Sequence, residues 1–286
     1  MQFIDIGANL THQSFQNDFD QVVANAKQAN VSHIILTGTD LPSNEATHLI
    51  ARQSPEFFSS TVGFHPHIAE SVTDDQFQSA KTLIDADHVV AIGETGLDYN
   101  RSYSPKADQL QIFENHLELA TEFKKPLFLH QRDAHNDFLY LLKNFRSEIV
   151  GGVVHCFTDT EEALQDYLAL DMHIGITGWI CDERRGAGLQ QAVAKIPLDR
   201  LLIETDSPYL LPRSIKPKPK SRRNEPAHLA EVAKKIALHS PHELEEIAQA
   251  TTANAKRLLA CQISNNSSKT LTKSHFHLNH HIRVTY

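Results

Sequence analysis

The chain has 286 residues, 41% hydrophobic and 22% charged, with a formal net charge of −8. This is the composition of a soluble globular protein, and the length suits one α/β barrel. The acidic balance excludes a uniformly basic nucleic-acid binder but not a local basic patch, and three cysteines without a C-x-x-C pair (Cys156, Cys181 and Cys261) exclude a disulfide framework or zinc finger and favour a reducing cytosol.

In chain order, the first apolar run is FIDIG (3–7), a strand carrying Asp5 rather than the pattern of a signal peptide. Seven more runs follow: HIILTG (33–38), SSTVGF (59–64), HVVAIGE (88–94), PLFLH (126–130), GGVVHC (151–156), MHIGIT (172–177) and RLLIET (200–205). None approaches the length of a membrane span. Between them lie segments of helical period, such as DFDQVVANAKQA, DQLQIFENHLELATEF and EEALQDYLAL. Thr73 to Gln76 and Ser240 to Glu243 read as capping boxes, the second with Pro241 at the first helical position. Strand–helix alternation from residue 3 to 205 predicts an α/β fold, a closed (β/α)8 TIM barrel. An open doubly wound sheet is the alternative; the absence of G-x-G-x-x-G after the first strand counts against it. Residues 226–260 predict two closing helices. Residues 1–261 then form one barrel domain, and the polar, His/Ser/Asn-rich 262–286 a mobile tail.

The active site of such a barrel lies at the C-terminal ends of its strands. There the sequence places His65 and His67 (strand 3), Glu94 (strand 4), His130 (strand 5), His155 (strand 6) and Glu204 with Asp206 (strand 8). Alternation puts Glu94 on one face with Val90 and Ile92, His130 with Phe128, and Asp206 with Leu202 and Glu204. If those faces point inward, Glu94, His130, His155 and Asp206 converge. A cluster of buried ionisable groups is costly without a cation, and carboxylate plus imidazole is a donor set for a divalent ion. Such an ion supports hydrolysis, with Asp206 as candidate general base. From Arg213 to Arg223 there are six Lys/Arg in eleven residues and no acid. This positive rim suits a phosphate-bearing polymer; Arg132 is placed to reach a phosphate, and Tyr99, Trp179 and Tyr209 to stack bases.

GFHPH, IGETGLDY, LHQRDA, HCFTDT, IGITGWICDERRG, LLIETDSPYLLPR and SRRNEPAHL together resemble the TatD-family metal-dependent deoxyribonucleases over residues 2–260. The resemblance implies an amidohydrolase-like barrel and a cytosolic magnesium-dependent 3′–5′ exonuclease on single-stranded DNA, possibly also RNA, with a role in DNA repair. It implies one metal position made by Glu94, His130 and His155. A second, which in many members uses a strand 1 H-x-H pair with the strand 4 Glu and strand 8 Asp, keeps Glu94 and Asp206 but has Gly7 and Asn9 for the histidines. That position is expected to fill only when magnesium arrives with substrate phosphate. His12 has the wrong parity to replace the pair. His65, His67, Arg132, Arg222, Arg223 and Asn9 are expected to contact substrate, and the chain to act as a monomer without a membrane. A metal-dependent deacylase or amidohydrolase on the same barrel, and a metal-binding barrel without catalysis, are the alternatives.

Overall fold

The structure is a computed structural model and describes residues 1–259. The expected tail, 262–286, lies outside the described residues. Eight parallel strands run in sequential order: β1 (Phe3–Ala8), β2 (Val31–Leu36), β3 (Phe58–Val62), β4 (Val89–Asp98), β5 (Leu127–Arg132), β6 (Gly152–Val154), β7 (His173–Ile176) and β8 (Leu201–Ile203). The barrel closes just beyond β8. Asp206 N donates to Gly7 O (2.9 Å), Asn9 N donates to Ser207 O (2.7 Å), and Ala8 bridges Ser207 in parallel. The open-sheet alternative is thereby set aside.

Helices α1 (Phe19–Gln28), α2 (Leu41–Gln53), α3 (Asp74–Lys81), α4 (Lys106–Phe123), α5 (His135–Phe145), α6 (Glu161–Ala169) and α7 (Ala187–Ala192) follow β1 to β7 in turn. After β8 come α8 (Leu229–His239) and α9 (Leu244–Leu259). The capping box of Thr73 with Gln76 forms at α3. The expected box at Ser240 does not: Ser240 ends α8, α9 starts at Leu244, and Glu246 accepts the Glu243 N–H instead (2.8 Å). No helix among the described residues is long and apolar enough to cross a membrane.

Two apolar layers hold the barrel. One lies between sheet and helices and includes Ile34, Leu36, Leu127 and Leu129 packed with Phe113, Phe138 and Leu142. The other fills the barrel with Ile4, Ile6, Ile35, Val90, Phe128, Val153 and Leu202, and Ala255 and Leu259 of α9 join it. Asn254 on α9 donates to Leu198 O and Leu201 O (both 2.8 Å), so α9 seals the end where the strands begin. Burying each such Ile, Leu or Phe is worth roughly 1.5–3 kcal/mol. The opposite mouth is left for polar groups.

One parity expectation fails locally. Val90 packs inside the barrel, but Ile92 belongs to the outer layer. The β4–β5 register shifts between Ile92 and Thr95, which returns Glu94 to the inner face. Gly93 sits in this shift at φ +140, where a β-carbon would lie 2.1 Å from Phe128 O. Only glycine suits both that φ and that approach.

Candidate functional site

At the C-terminal mouth lies an open cleft of about 680 Å³. Of the residues singled out by sequence, Asn9, His65, His67, Glu94, His130, Arg132, His155, Trp179, Asp206 and Tyr209 line it. Its centre is Glu94 Oε1. Around that oxygen stand His155 Nε2 (2.8 Å), His130 Nδ1 (3.1 Å) and His65 Nε2 (3.2 Å). The donor atoms of His65, Glu94 and His130 all lie within 4.8 Å of one another, a candidate metal site.

The far nitrogens distinguish the three rings. His130 Nε2 faces Asp98 Oδ2 (3.1 Å), and His155 Nδ1 faces Glu204 Oε2 (3.3 Å). A carboxylate behind an imidazole is the usual support of a metal-binding histidine, because it keeps the ring proton on the outer nitrogen. His65 is different: its Nδ1 accepts the His67 N–H (3.1 Å) at the start of the 66–71 turn. An accepting Nδ1 leaves the proton of the neutral ring on Nε2, so His65 donates toward Glu94.

Charge and burial pull against each other here. Burial alone would raise the Glu94 carboxyl, but His155, His65 and His130 hold it well below the usual range. Burial would lower His155, but Glu94 and Glu204 raise it well above normal. For Asp206, burial outweighs the lowering effect of the His155 charge. Burial foremost, with Glu94 and Glu204 adding, pushes its carboxyl up to about 8, even though Asn9 Nδ2 donates to Oδ1 (3.1 Å). Three carboxylates (Glu94, Asp98 and Asp206) thus line one cleft with imidazoles between them, and a fourth, Glu204, lies buried behind His155. That donor set fits a divalent cation, whose charge would replace the shared protons.

Sequence reasoning passed over Asp98 and Arg185, and placed Glu204 at the site without giving it a role. Asp98 lies on β4, which runs four residues past Glu94, and it receives both His67 Nε2 (2.8 Å) and His130 Nε2. The continued period of two from Glu94 was the available signal. Glu204, fully buried, accepts the Cys156 N–H (2.6 Å) and backs His155. Arg185 comes from the loop after β7, where no periodicity points to it; its guanidinium lies 4.3 Å over the Trp179 ring. Arg132 approaches the same ring at 5.5 Å.

Other expected residues lie elsewhere. Arg223 does not line the cleft: it grips Asp18 through Nη1 and Nη2 (2.8 and 2.6 Å) and Glu225 (2.7 Å), tying the β8 loop to the start of α1. Its guanidinium, expected to contact substrate, is engaged by these two carboxylates. Arg222 lines a neighbouring groove instead. Tyr99 hydrogen-bonds Asp137 outside the cleft (2.7 Å), and His12 bonds Ser14 (2.9 Å).

A family model described as TatD related DNase matches residues 4–260. A Dickeya dadantii protein named "3'-5' ssDNA/RNA exonuclease TatD" is 45% identical over 254 residues, covering 89% of this chain and 96% of that protein. The Edwardsiella piscicida protein of the same name is 47% identical over 256 residues, with 89% and 98% covered. Among solved structures, a hydrolase of the TatD family from Entamoeba histolytica superposes with TM-score 0.83 at 29% identity, covering 91% of this chain and 98% of its own. Organophosphorus hydrolase from Deinococcus radiodurans, at 12% identity and TM-score 0.58 over 90% of this chain and 92% of its own, shares the barrel fold alone.

Proposed function

The chain belongs to the TatD-related DNase family, and on that premise we propose that it is a magnesium-dependent 3′–5′ exonuclease acting on single-stranded DNA and RNA. The observation that carries this reading is the meeting of three imidazoles on one oxygen of Glu94, beneath a rim bearing Arg132, Arg185 and Trp179. The relatives are named 3′-5′ ssDNA/RNA exonucleases, and this cleft has the donors that hydrolysis of a phosphodiester needs.

Glu94, His130 and His155 would hold the ion, with Asp206 beside them; bound there, it supplies a Lewis acid for a phosphoryl oxygen and acidifies a water. Asp98 and Glu204 keep the two rings oriented, with their inner nitrogens toward Glu94. Asp206 takes the proton of the attacking water. Its carboxyl, raised by burial when no ion is present, would be ionised by a neighbouring cation and so freed to accept that proton, and Asn9 Nδ2 fixes its orientation. His65 presents Nε2–H to the reacting phosphate, and His67, held by Asp98, stands next to it. Arg132, braced on Thr158 Oγ1 (2.6 Å), binds a phosphate of the strand, while Trp179 and Tyr209 stack against bases. Trimming of frayed 3′ ends is the step through which such an enzyme would serve DNA repair.

The test is incubation of purified protein and its Asp206→Asn variant with 5′-labelled single-stranded DNA and magnesium. A ladder of 3′-shortened products from the wild type, lost in the variant, is the expected result. Absence of cleavage of any nucleic acid by the wild type overturns the reading.

A further inference from the structure

Beside the cleft runs a second groove of about 590 Å³. One wall is the loop after β7, with Arg184 and Arg185; the other is the loop after β8, with Arg213, Lys216, Lys218 and Arg222. Its apolar floor includes Leu210, Leu211 and Ile215, and Glu183 is the one acid lining it. The chain as a whole is acidic, at −8, so this is a local reversal of sign. Two observations connect the groove to the cleft. Arg185 and Leu210 line both. Trp179, which lines the cleft, has the Arg185 guanidinium 4.3 Å and the Arg132 guanidinium 5.5 Å from its ring.

The walls are braced from below. Asp182, nearly fully buried, accepts from Arg184 N (2.9 Å), Arg185 N (3.1 Å) and Arg185 Nε (2.9 Å), and stands 3.3 Å from Arg213 Nε of the opposite wall. Of the cations lining the groove, only Arg185 and Arg213 are ion-paired among the described residues, both to this one carboxylate. Arg184, Lys216, Lys218 and Arg222 keep their charge for something outside the fold. Prolines at 212, 217 and 219 restrict the backbone of the β8 loop, which turns at 212–215.

We propose that this groove binds the stretch of a single-stranded polynucleotide lying 5′ of the scissile linkage. The proposal rests on reading the cleft as a phosphodiesterase site: with the 3′ end at Glu94, the rest of the strand leaves past Trp179 and over Arg185. Cations spaced along both walls match successive phosphates, and the apolar floor receives bases. An acidic peptide would match the charge but not the continuity with a site for phosphodiesters.

The experiment measures fluorescence anisotropy of 5′-labelled, phosphorothioate-protected dT20 and dT3 in magnesium. The wild type is compared with the triple variant Arg184→Ala, Lys216→Ala, Lys218→Ala, all three side chains lying on loops at the rim. For dT20 the affinity should fall about tenfold at low salt. The slope of log affinity against log salt should become shallower by about 2, since each phosphate contact on a single strand contributes about 0.7. For dT3, too short to leave the cleft, affinity should be unchanged. Equal losses for both oligonucleotides, or no loss for dT20, overturn the proposal, as does competition by poly-glutamate as effective as by unlabelled dT20. Cleavage of unprotected DNA is scored separately. A wild type that binds dT20 through these residues without cleaving any nucleic acid defeats the exonuclease reading and leaves the groove; cleavage with no dT20 effect does the reverse.

Discussion

The carboxylate of Glu204 occupies the space that a side chain at Gly7 would need. A β-carbon built on Gly7 would lie 2.5 Å from Glu204 Oε2 and 2.9 Å from the Phe128 ring. Glu204 cannot swing aside freely, because Cys156 N and His155 hold it and it is fully buried. The missing strand 1 histidine is therefore part of how this site is packed. Gly7→Ala should destabilise the protein by about 1–3 kcal/mol through overpacking, and should weaken divalent-ion binding by displacing Glu204 from His155. Thermal melts and calorimetric titration check both. For the same reason, Gly7→His with Asn9→His should yield a less stable protein, and two tight ions per chain in that variant would contradict the packing argument.

Glu204 itself should act through His155 rather than on substrate. Glu204→Gln keeps the shape but removes the charge that holds the His155 ring proton on Nδ1. Metal affinity should drop on the order of 10- to 100-fold, the usual cost of losing such a support. An unchanged calorimetric affinity would leave Glu204 as a packing residue only.

The three rings around Glu94 should separate by function. His130→Asn and His155→Asn are expected to abolish tight ion binding. His65→Asn should retain it and lower kcat, because His65 Nδ1 is already engaged by the His67 N–H. Without substrate the wild type should bind one tight divalent ion. If instead His65→Asn loses the ion while His155→Asn keeps it, the set of His65, Glu94 and His130 is the true one.

His116 predicts an acid limit to stability. On α4, it accepts the Phe64 N–H at Nε2 (3.1 Å) and pairs Nδ1 with Ile112 O (2.6 Å), which requires the neutral ring. Burial pushes its pKa down to about 4. A depressed histidine binds fewer protons folded than unfolded, so its share of stability is intact above the unfolded value of about 6.5 and lost as pH falls toward 4. That loss is on the order of 3 kcal/mol. His33 and His173, also lowered to about 4 by burial, act in the same direction. Urea unfolding at pH 7.5 and pH 5, with chelator present to remove any ion-linked contribution, should show a smaller difference for His116→Gln than for the wild type. Equal differences would mean that the ring is protonated in the fold.

The barrel was legible because its strands are buried on both faces and so read as apolar runs wherever they occur. The register of β4 was not. A strict alternation puts Ile92 and Glu94 on one face, and only pairing with β5 reveals the shift at Gly93 that separates them. The helix start at residue 240 failed similarly: a capping pattern is local, but Ser240 was already ending α8.

Within the site, the sequence by itself determined which chemistry stands at each strand end, since residue type and position along a strand suffice to place Glu94, His130, His155 and Asp206 at one mouth. Only the tertiary structure decided how those groups divide the work. Asp98 and Glu204 stand behind His130 and His155, His65 Nδ1 is engaged by the His67 N–H, and Arg223 is paired with Asp18. Each of those assignments depends on a hydrogen bond or ion pair a few ångströms long, several of them between residues tens to hundreds of positions apart, as Glu204 is 49 from His155 and Arg223 is 205 from Asp18. Proton position and charge pairing are properties of such contacts, and periodicity along the chain carries no record of them.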